Sequence, residues 1–294
     1  MEIDDCRQLL AQYFPQVEIH SLAVILSGWD ALVLDVNDRL IFRFPRRSEN
    51  EALMEKQMDL LPRLAGRLPI PVPQGQYACR KSAGDAHTLM GYPKIAGVGL
   101  DELPAVSQEI LRQLGEFLSA LHCFPLEKAF PSLDGAPSPQ DWQELYEETY
   151  SWVQDLILPR LSRPDRLAAS LLWEIFLSGE DNFRFQPSLI HADLGPEHIL
   201  CEPSGAGIQG VIDWEDARPG DPALDFAGLF SLGGEALVDR TLSFYQGAVD
   251  ETFRRRVRFY DTIAPFYEIR YALTIQDESQ LNHAVETLRR SLRV

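Results

Sequence analysis

Apolar residues recur every three to four positions over Ile3–Phe14, which predicts a short amphipathic helix. The spacing then tightens. Ser21–Leu26, Ala31–Val36 and Leu40–Phe44 read as strands, and Asn37-Asp-Arg39 reads as the tight turn of a hairpin between the last two. Helical spacing returns over Glu51–Leu64. Alternating prolines in Leu68-Pro-Ile-Pro-Val-Pro73 forbid helix and predict an extended segment. Two further strand-like runs lie near Gly75–Cys79 and His87–Tyr92. The first third of the chain therefore predicts an antiparallel sheet with a helix packed on it.

Pro93-Lys-Ile-Ala-Gly97 reads as a connector, and beyond it the helical period dominates. Helices are expected over Pro104–Leu121, Asp141–Leu158, Pro164–Leu177, Asp221–Leu232, Glu235–Val249, Glu251–Leu273 and Glu278–Leu292. Two strand-like pieces, Ser188–Ile190 and Gly210–Ile212, interrupt this helical half. The expected class is α+β with two lobes. A small antiparallel β-rich lobe occupies residues 1–93, a hinge 94–98 and a larger helical lobe 99–294, with the interrupting pieces on the floor of the cleft.

Composition narrows the partners. With 44 acidic against 27 basic residues the 294-residue chain carries a formal charge of −17, which argues against nucleic acid as a ligand. The same field raises the local concentration of cationic ligands if it lines a cleft, and otherwise serves solubility. No apolar run is long enough to span a bilayer, and the acidic start Met1-Glu-Ile-Asp-Asp-Cys-Arg lacks the features of a signal peptide. The four scattered cysteines contain no C-x-x-C pair and read as reduced thiols in a cytoplasmic protein.

The candidate chemistry concentrates in Leu189–Phe226. Two acidic motifs, His191-Ala-Asp193-Leu-Gly-Pro-Glu-His198 and Val211-Ile-Asp213-Trp-Glu-Asp216, flank the turn Pro203-Ser-Gly-Ala-Gly207. Each Asp stands where a buried strand gives way to a loop. Alone, either is most simply a turn or a helix cap. Together, with Asp221-Pro-Ala-Leu-Asp225-Phe following, they suit phosphoryl transfer, one carboxylate orienting a hydroxyl and the other holding Mg²⁺. Earlier in the chain, Arg43 alternates with Phe42 and Phe44, so a cation projects from a buried strand and needs an anion, phosphate or carboxylate. Glu51 and Glu55, at i, i+4 on the next helix, are candidate partners. Ser27-Gly28-Trp-Asp30 offers a Gly-containing turn to phosphates. Met90, Tyr92 and Ile95 offer apolar walls to a purine where the lobes join.

These pieces carry a resemblance. Gly28-Trp-Asp30, Ile41-Phe-Arg-Phe-Pro45, Leu68–Pro73, Gly91–Gly97, His191–His198, Gly210–Ala217 and Asp221–Phe226 are similar to the antibiotic phosphotransferases of the protein-kinase-like fold, above all the aminoglycoside 2''-phosphotransferases and next the macrolide enzymes. The resemblance implies a nucleoside-triphosphate-dependent O-phosphotransferase, with ATP or GTP as donor and Mg²⁺ as cofactor. It implies Asp193 as catalytic base, His191 as the brace of its loop, and Asp213 and His198 on the metal. Gly28, Arg43, Glu55, Met90, Tyr92 and Ile95 fall on the nucleotide. Asp221 and Asp225 are structural, Asp221 capping the next helix. Arg43 stands where the family has Lys, Glu215 where Gly is common, and Gln57 near the usual place of the helix Glu. Glu197, Asp216 and Glu268, together with the acidic helix starting at Asp141, are expected to meet a cationic aminoglycoside, with the protein acting as a monomer. A macrolide would need an apolar wall, for which Trp142, Tyr146, Tyr150 and Trp152 are available, although at helical spacing such residues more often form core.

Overall fold

Asn37 and Asp38 adopt positive φ (61° and 55°) and Arg39 donates its N–H to Val36 O at 3.2 Å, so the predicted hairpin closes on a two-residue turn of the twist that antiparallel strands favour. The computed structural model describes residues 3–25, 31–48, 50–81, 88–132 and 138–293. Their elements begin with α1 (Ile3–Tyr13), β1 (Leu22–Ile25), β2 (Ala31–Val36), β3 (Leu40–Pro45), α2 (Asn50–Leu64), β4 (Tyr77–Cys79) and β5 (Leu89–Pro93). Next come β6 (Val98–Gly99), α3 (Gln108–His122), the single turn α4 (Leu126–Ala129), α5 (Pro139–Trp152), α6 (Arg163–Ser178) and β7 (Ser188–Ile190). The chain continues with β8 (Ile199–Cys201), β9 (Ile208–Val211), β10 (Arg218–Gly220), α7 (Ala227–Leu242), α8 (Phe253–Ile275) and α9 (Glu278–Ser291).

The chain divides into two compact units. The first comprises Met1–Leu121, Glu127–Pro131 and Pro196–Ala217. Its main sheet is antiparallel in the order β1-β2-β3-β5-β4, which places β3 in the middle. Phe42 and Phe44 point to one face and pack with Cys6, Leu10 and Phe14 from the α1 region and with Leu34, Val36 and Leu89 from the sheet. Arg43 alternates to the other face, in register with Met90 of β5. A second sheet, β6-β8-β9, carries the turn 203–207, and Val211 N–H donates to Pro71 O at 3.0 Å, tying the extended proline segment to β9.

The second unit comprises His122–Leu126, Ser132–Gly195 and Arg218–Val294. Its core is aromatic. Tyr146 of α5 lies 5.9 Å from Phe259 and 5.5 Å from Tyr260 of α8, and Trp173 of α6 stacks on Tyr150 at 5.5 Å. Trp142, Tyr146 and Tyr150 are all buried, so they are core rather than a surface wall. Asp141 closes a capping box with Ser138, accepting its N–H at 2.6 Å, so this carboxylate starts the helix instead of facing a ligand.

Several boundaries differ from the sequence pattern. The helix expected from Pro104 begins at Gln108, where Ser107 Oγ accepts the Ile110 N–H at 3.3 Å. The helix expected to run to Leu158 turns into a π segment, Val153–Ile157, beyond Trp152. Asp221–Leu232 divides into a 3-10 turn, Pro222–Phe226, and the first half of α7, which breaks at Gly233 and Gly234 (φ −152° and 63°). The short pairing of β7 with β10 has no counterpart in the pattern, because three-residue strands leave almost no period to read. Among the described residues, no helix is long and apolar enough to cross a membrane.

Candidate active site

The loop around Asp193 is built by four neighbouring features of the second unit. β7 ends in Leu189 and Ile190, both fully buried, and His191 is buried behind them. Ala192 then takes φ +67°, a left-handed conformation that costs a residue with a Cβ about 1–2 kcal/mol. Asp225 compensates. One of its carboxylate oxygens accepts the His191 N–H and the other the Ala192 N–H, each at 2.8 Å. Each bond to a charged acceptor contributes about 1.5–3 kcal/mol, so the pair outweighs the strain. With the turn fixed, Asp193 emerges exposed, and its carbonyl accepts the Gly195 N–H at 2.9 Å.

Asp225 is itself held in place. His122, at the end of α3, approaches it with Nε2 at 3.1 Å, while His122 Nδ1 lies 2.7 Å from Tyr245 Oη. An ionised carboxylate only accepts, so Nε2 is the ring nitrogen suited to donate to Asp225, which leaves Nδ1 to the Tyr245 hydroxyl. The 3-10 turn bearing Asp225 is capped by Asp221, which accepts the Ala223 N–H at 3.0 Å, meets Arg256 at 2.6 Å and accepts from Tyr260 Oη at 2.7 Å. Gly228, in the first turn of α7, allows that helix to approach the loop: a Cβ there would lie 3.0 Å from Gly195 Cα and closer still to Leu194 O. The sequence reading missed His122, Tyr245 and Gly228. Their only signals were a His closing an apolar helical run and a Gly three residues after Asp225.

The second acidic loop lies in the first unit. β8 and β9 form the hairpin around residues 203–207, and Ile212 N–H donates to His198 O at 3.0 Å. Asp213 follows with φ +66°, a second non-glycine residue in the left-handed region. Trp214 anchors the turn, fully buried, with Nε1 donating to Val211 O at 2.9 Å and its ring edge-on to Phe117. His198 Nε2 stands 3.7 Å from Asp213 Oδ2. Arg43 reaches this loop from β3. Its Nη2 lies 2.9 Å from Asp213 Oδ1 and 3.0 Å from Glu215 Oε1. Burial alone would depress the guanidinium's pKa; Asp213, the Tyr92 phenol and Glu215 reverse that and hold it above its usual value.

The remaining nucleotide candidates have definite surroundings. Met90 and Tyr92 are buried on β5, and Arg43 opposes the upward push that burial gives the Tyr92 phenol. Ile95 covers Gly210 of β9, where a Cβ would come within 2.8 Å of its side chain. Glu55 accepts from Thr88 at 3.4 Å and Glu51 pairs with Lys81 at 3.0 Å, so among the described residues Arg43's carboxylate partners come from the acidic loop and not from α2. Gly28 lies outside the described residues. Of the acceptor candidates, Glu197 and Asp216 are exposed in the first unit and Glu268 is half-buried on α8 of the second. Glu144, Glu147 and Glu180 line a groove of about 340 Å³ together with Gln140, Gln143 and Arg184.

A five-stranded antiparallel sheet with a mostly helical remainder, and an acidic loop leaving a short strand in each unit, make up a kinase-like fold. The chain belongs to the phosphotransferase enzyme family, whose model matches residues 21–260. It is 27% identical over 292 residues to the viomycin phosphotransferase of Streptomyces vinaceus, covering 95% of this chain and 96% of that protein. It superposes with a TM-score of 0.86 on a GDP and kanamycin complex of an aminoglycoside 2''-phosphotransferase of type IIIa, at 27% identity and 98% coverage of both chains. A type I macrolide 2'-phosphotransferase shares the fold, with a TM-score of 0.77 at 24% identity and 98% coverage of each chain.

Proposed function

We propose that this protein transfers the γ-phosphoryl group of ATP or GTP to a hydroxyl of an aminoglycoside antibiotic, as a cytoplasmic monomer. The observation that carries the reading is the pair of carboxylates presented on left-handed turns: Asp193, next to Ala192 at φ +67°, and Asp213, itself at φ +66°. Unlike Asn37 and Asp38, whose positive φ closes a hairpin turn, and Gln276, whose positive φ ends a helix, Ala192 and Asp213 take it where a buried strand gives way to an acidic loop, and backbone strain concentrates at functional sites. Asp193 is the general base. Its exposed carboxylate accepts the proton of the acceptor hydroxyl, which becomes the nucleophile, and Asp225 and His191 keep the loop in place.

The donor set suits Mg²⁺. Asp213 supplies a hard carboxylate oxygen, and His198 is near enough to complete or orient its coordination. Mg²⁺ is held mainly by one or two carboxylates and substrate phosphates, so a site without three clustered protein ligands among the described residues is in keeping with it. Bound there, the ion would neutralise charge on the phosphates and orient them. Arg43 clasps phosphate oxygens through a guanidinium that Lys could match in charge but not in bidentate geometry. The nucleotide is assigned to residues 1–93, with Gly28, Glu55, Met90, Tyr92 and Ile95 around it and 94–98 as hinge; the acceptor belongs to 99–294.

Burial of Trp142, Tyr146 and Tyr150 leaves only the half-buried Trp152 of the four aromatics that a macrolide's apolar wall would draw on, and the net charge of −17 favours a cationic acceptor met by Glu197, Asp216 and Glu268. Viomycin is the second acceptor to consider, because the relative aligned over 95% of this chain is a viomycin phosphotransferase. The test is steady-state turnover of ATP and of GTP with kanamycin, viomycin, a macrolide and small hydroxy-metabolites in parallel. Kanamycin-dependent turnover supports the proposal, and viomycin-dependent turnover alone moves the acceptor to the second reading. Turnover with the macrolide alone or with a metabolite alone, or no turnover with any of these acceptors, refutes it.

A further inference from the structure

One guanidinium nitrogen of Arg43 serves two carboxylates at once. Nη2 lies 2.9 Å from Asp213 Oδ1 and 3.0 Å from Glu215 Oε1. The three side chains are not equivalent: Arg43 is 5% exposed, Glu215 7% and Asp213 27%. A buried cation that loses its only counter-ion is strongly destabilised. If Asp213 is to turn toward a divalent cation, Arg43 needs another carboxylate that stays behind. Glu215 is the more deeply buried of the two and lies on the same loop, two residues further on. The helix carboxylates Glu51 and Glu55 are engaged with Lys81 and Thr88, and the buried position nearby in sequence is an uncharged Gln57.

We propose that Glu215 is a positioning residue, the resident counter-ion of Arg43, and that Asp213 is the exchangeable one, released from the guanidinium to a divalent cation because Glu215 remains. This rests on the nucleotide reading above and deepens it. Within that reading the two departures in this chain, Arg for Lys at 43 and Glu for Gly at 215, act as one unit. Arg43 offers a fork wide enough to hold a carboxylate and reach a phosphate, and Glu215 supplies the negative charge that keeps the buried fork compensated and oriented when Asp213 leaves.

The sign of the expected effect separates this role from simple repulsion. A Glu beside a phosphate site that acted only by repelling anions would, when neutralised, tighten nucleotide binding and lower the Mg²⁺ requirement. A resident counter-ion has the opposite effect. Among the described residues, Glu215→Gln leaves Asp213 as the one carboxylate on Arg43, so Mg²⁺ must pull it from a buried cation that no other described carboxylate compensates.

The experiment is calorimetric titration of the full chain with non-hydrolysable ATP and GTP analogues, with and without Mg²⁺, for wild type, Glu215→Gln and Glu215→Asp. Thermal unfolding of each variant is recorded alongside. In Glu215→Gln, half-saturating Mg²⁺ is expected to rise at least about tenfold, while the metal-free nucleotide Kd moves less than about threefold. Glu215→Asp keeps the charge and is expected to stay near wild type in both. An unchanged or lower Mg²⁺ requirement in Glu215→Gln, with wild type binding Mg²⁺-nucleotide normally, overturns the inference and leaves the function standing. Equal loss of metal-free and Mg²⁺-dependent binding in both variants also overturns it, because that is the signature of a residue that only supports the fold. Wild type that binds no Mg²⁺-nucleotide overturns the functional reading and this inference with it.

Discussion

Asp225→Asn exchanges one carboxylate oxygen for an NH₂ group and is expected to disable a loop that Asp225 itself only supports. Asp225 is fully buried and serves three donors: the His191 and Ala192 N–H groups at 2.8 Å each, and His122 Nε2 at 3.1 Å. An amide has a single oxygen, so at least one buried donor must face an NH₂ group. The loss of that acceptor costs about 1–3 kcal/mol, and the bond that remains, now to a neutral acceptor, contributes only about 1 kcal/mol. The left-handed turn at Ala192 costs about 1–2 kcal/mol by itself, so the balance that held it tips toward relaxation. A displacement of about 1 Å at Asp193 is enough to lower turnover about 10²-fold. The assay pairs kcat for acceptor-dependent nucleotide turnover with the thermal unfolding midpoint. Asp225→Asn should lower kcat about 10²-fold and stability by about 1–3 kcal/mol. Adding Ala192→Gly removes the strain and should recover part of the loss in kcat, because glycine enters that conformation freely. Turnover within about twofold of wild type in a folded Asp225→Asn protein, well short of the loss expected from misplacement, would refute the idea that Asp225 positions Asp193.

Asp193→Asn should lower kcat by about 10²–10⁴-fold with an unfolding midpoint close to wild type, since the residue is exposed and the change removes only the proposed general base; a near-normal kcat would reassign the base. Gly228→Ala should lose about 1–3 kcal/mol and lower turnover, because the added methyl meets backbone atoms at Leu194 and Gly195 that cannot step aside as a side chain would. Unchanged stability and turnover in that variant would show that α7 does not confine the loop. Burial raises the pKa of Asp261 from the usual 3.8 to about 6, against a hydrogen bond from Ser231 that lowers it. The folded state therefore holds the proton more tightly than the unfolded one. The contribution to stability is complete below the unfolded pKa and is lost as pH rises through the folded value. Wild type should lose roughly 1–3 kcal/mol relative to Asp261→Asn between about pH 4 and pH 7, and parallel unfolding curves across that range would contradict it.

The parts of this molecule visible in its sequence are those whose signal is local. Phe42, Arg43 and Phe44 alternate, and they do face opposite sides of the central strand. Asn37-Asp-Arg39 spells a tight hairpin turn, and the chain takes it, with Asn37 and Asp38 at positive φ. Trp142, Tyr146 and Tyr150 sit at helical spacing and are core, the reading that spacing favours. Asp141, by contrast, opens an acidic run that suits a cationic ligand, yet Ser138 three positions earlier marks the capping box it forms. Contacts between distant segments were beyond such reasoning. Nothing in the neighbourhood of His122 points to Asp225, 103 positions on, or in that of Arg43 to Asp213, 170 positions on. Arg43 calls for a phosphate or a carboxylate, and Glu51 and Glu55 are near it along the chain, whereas its carboxylate partners among the described residues come from a loop far away in sequence.

The two acidic loops solve the same physical problem with different materials. Each must present a charged side chain from the end of a buried strand, and each does so by turning the backbone through the left-handed region at or beside the Asp. At Asp193 the turn is held by backbone N–H groups donating to the carboxylate of Asp225, so the fixing charge is negative, buried and separate from the one presented. At Asp213 the loop is secured by the neighbouring indole of Trp214, while the fixing charge is the positive one of Arg43, bonded directly to the presented carboxylate. The difference matches the work assigned to each. A general base must keep its oxygens accessible, and a partner that acts through the backbone leaves them so. A metal-side carboxylate must be charged before the cation comes and released when it does, which a direct ion pair with a second carboxylate in attendance provides.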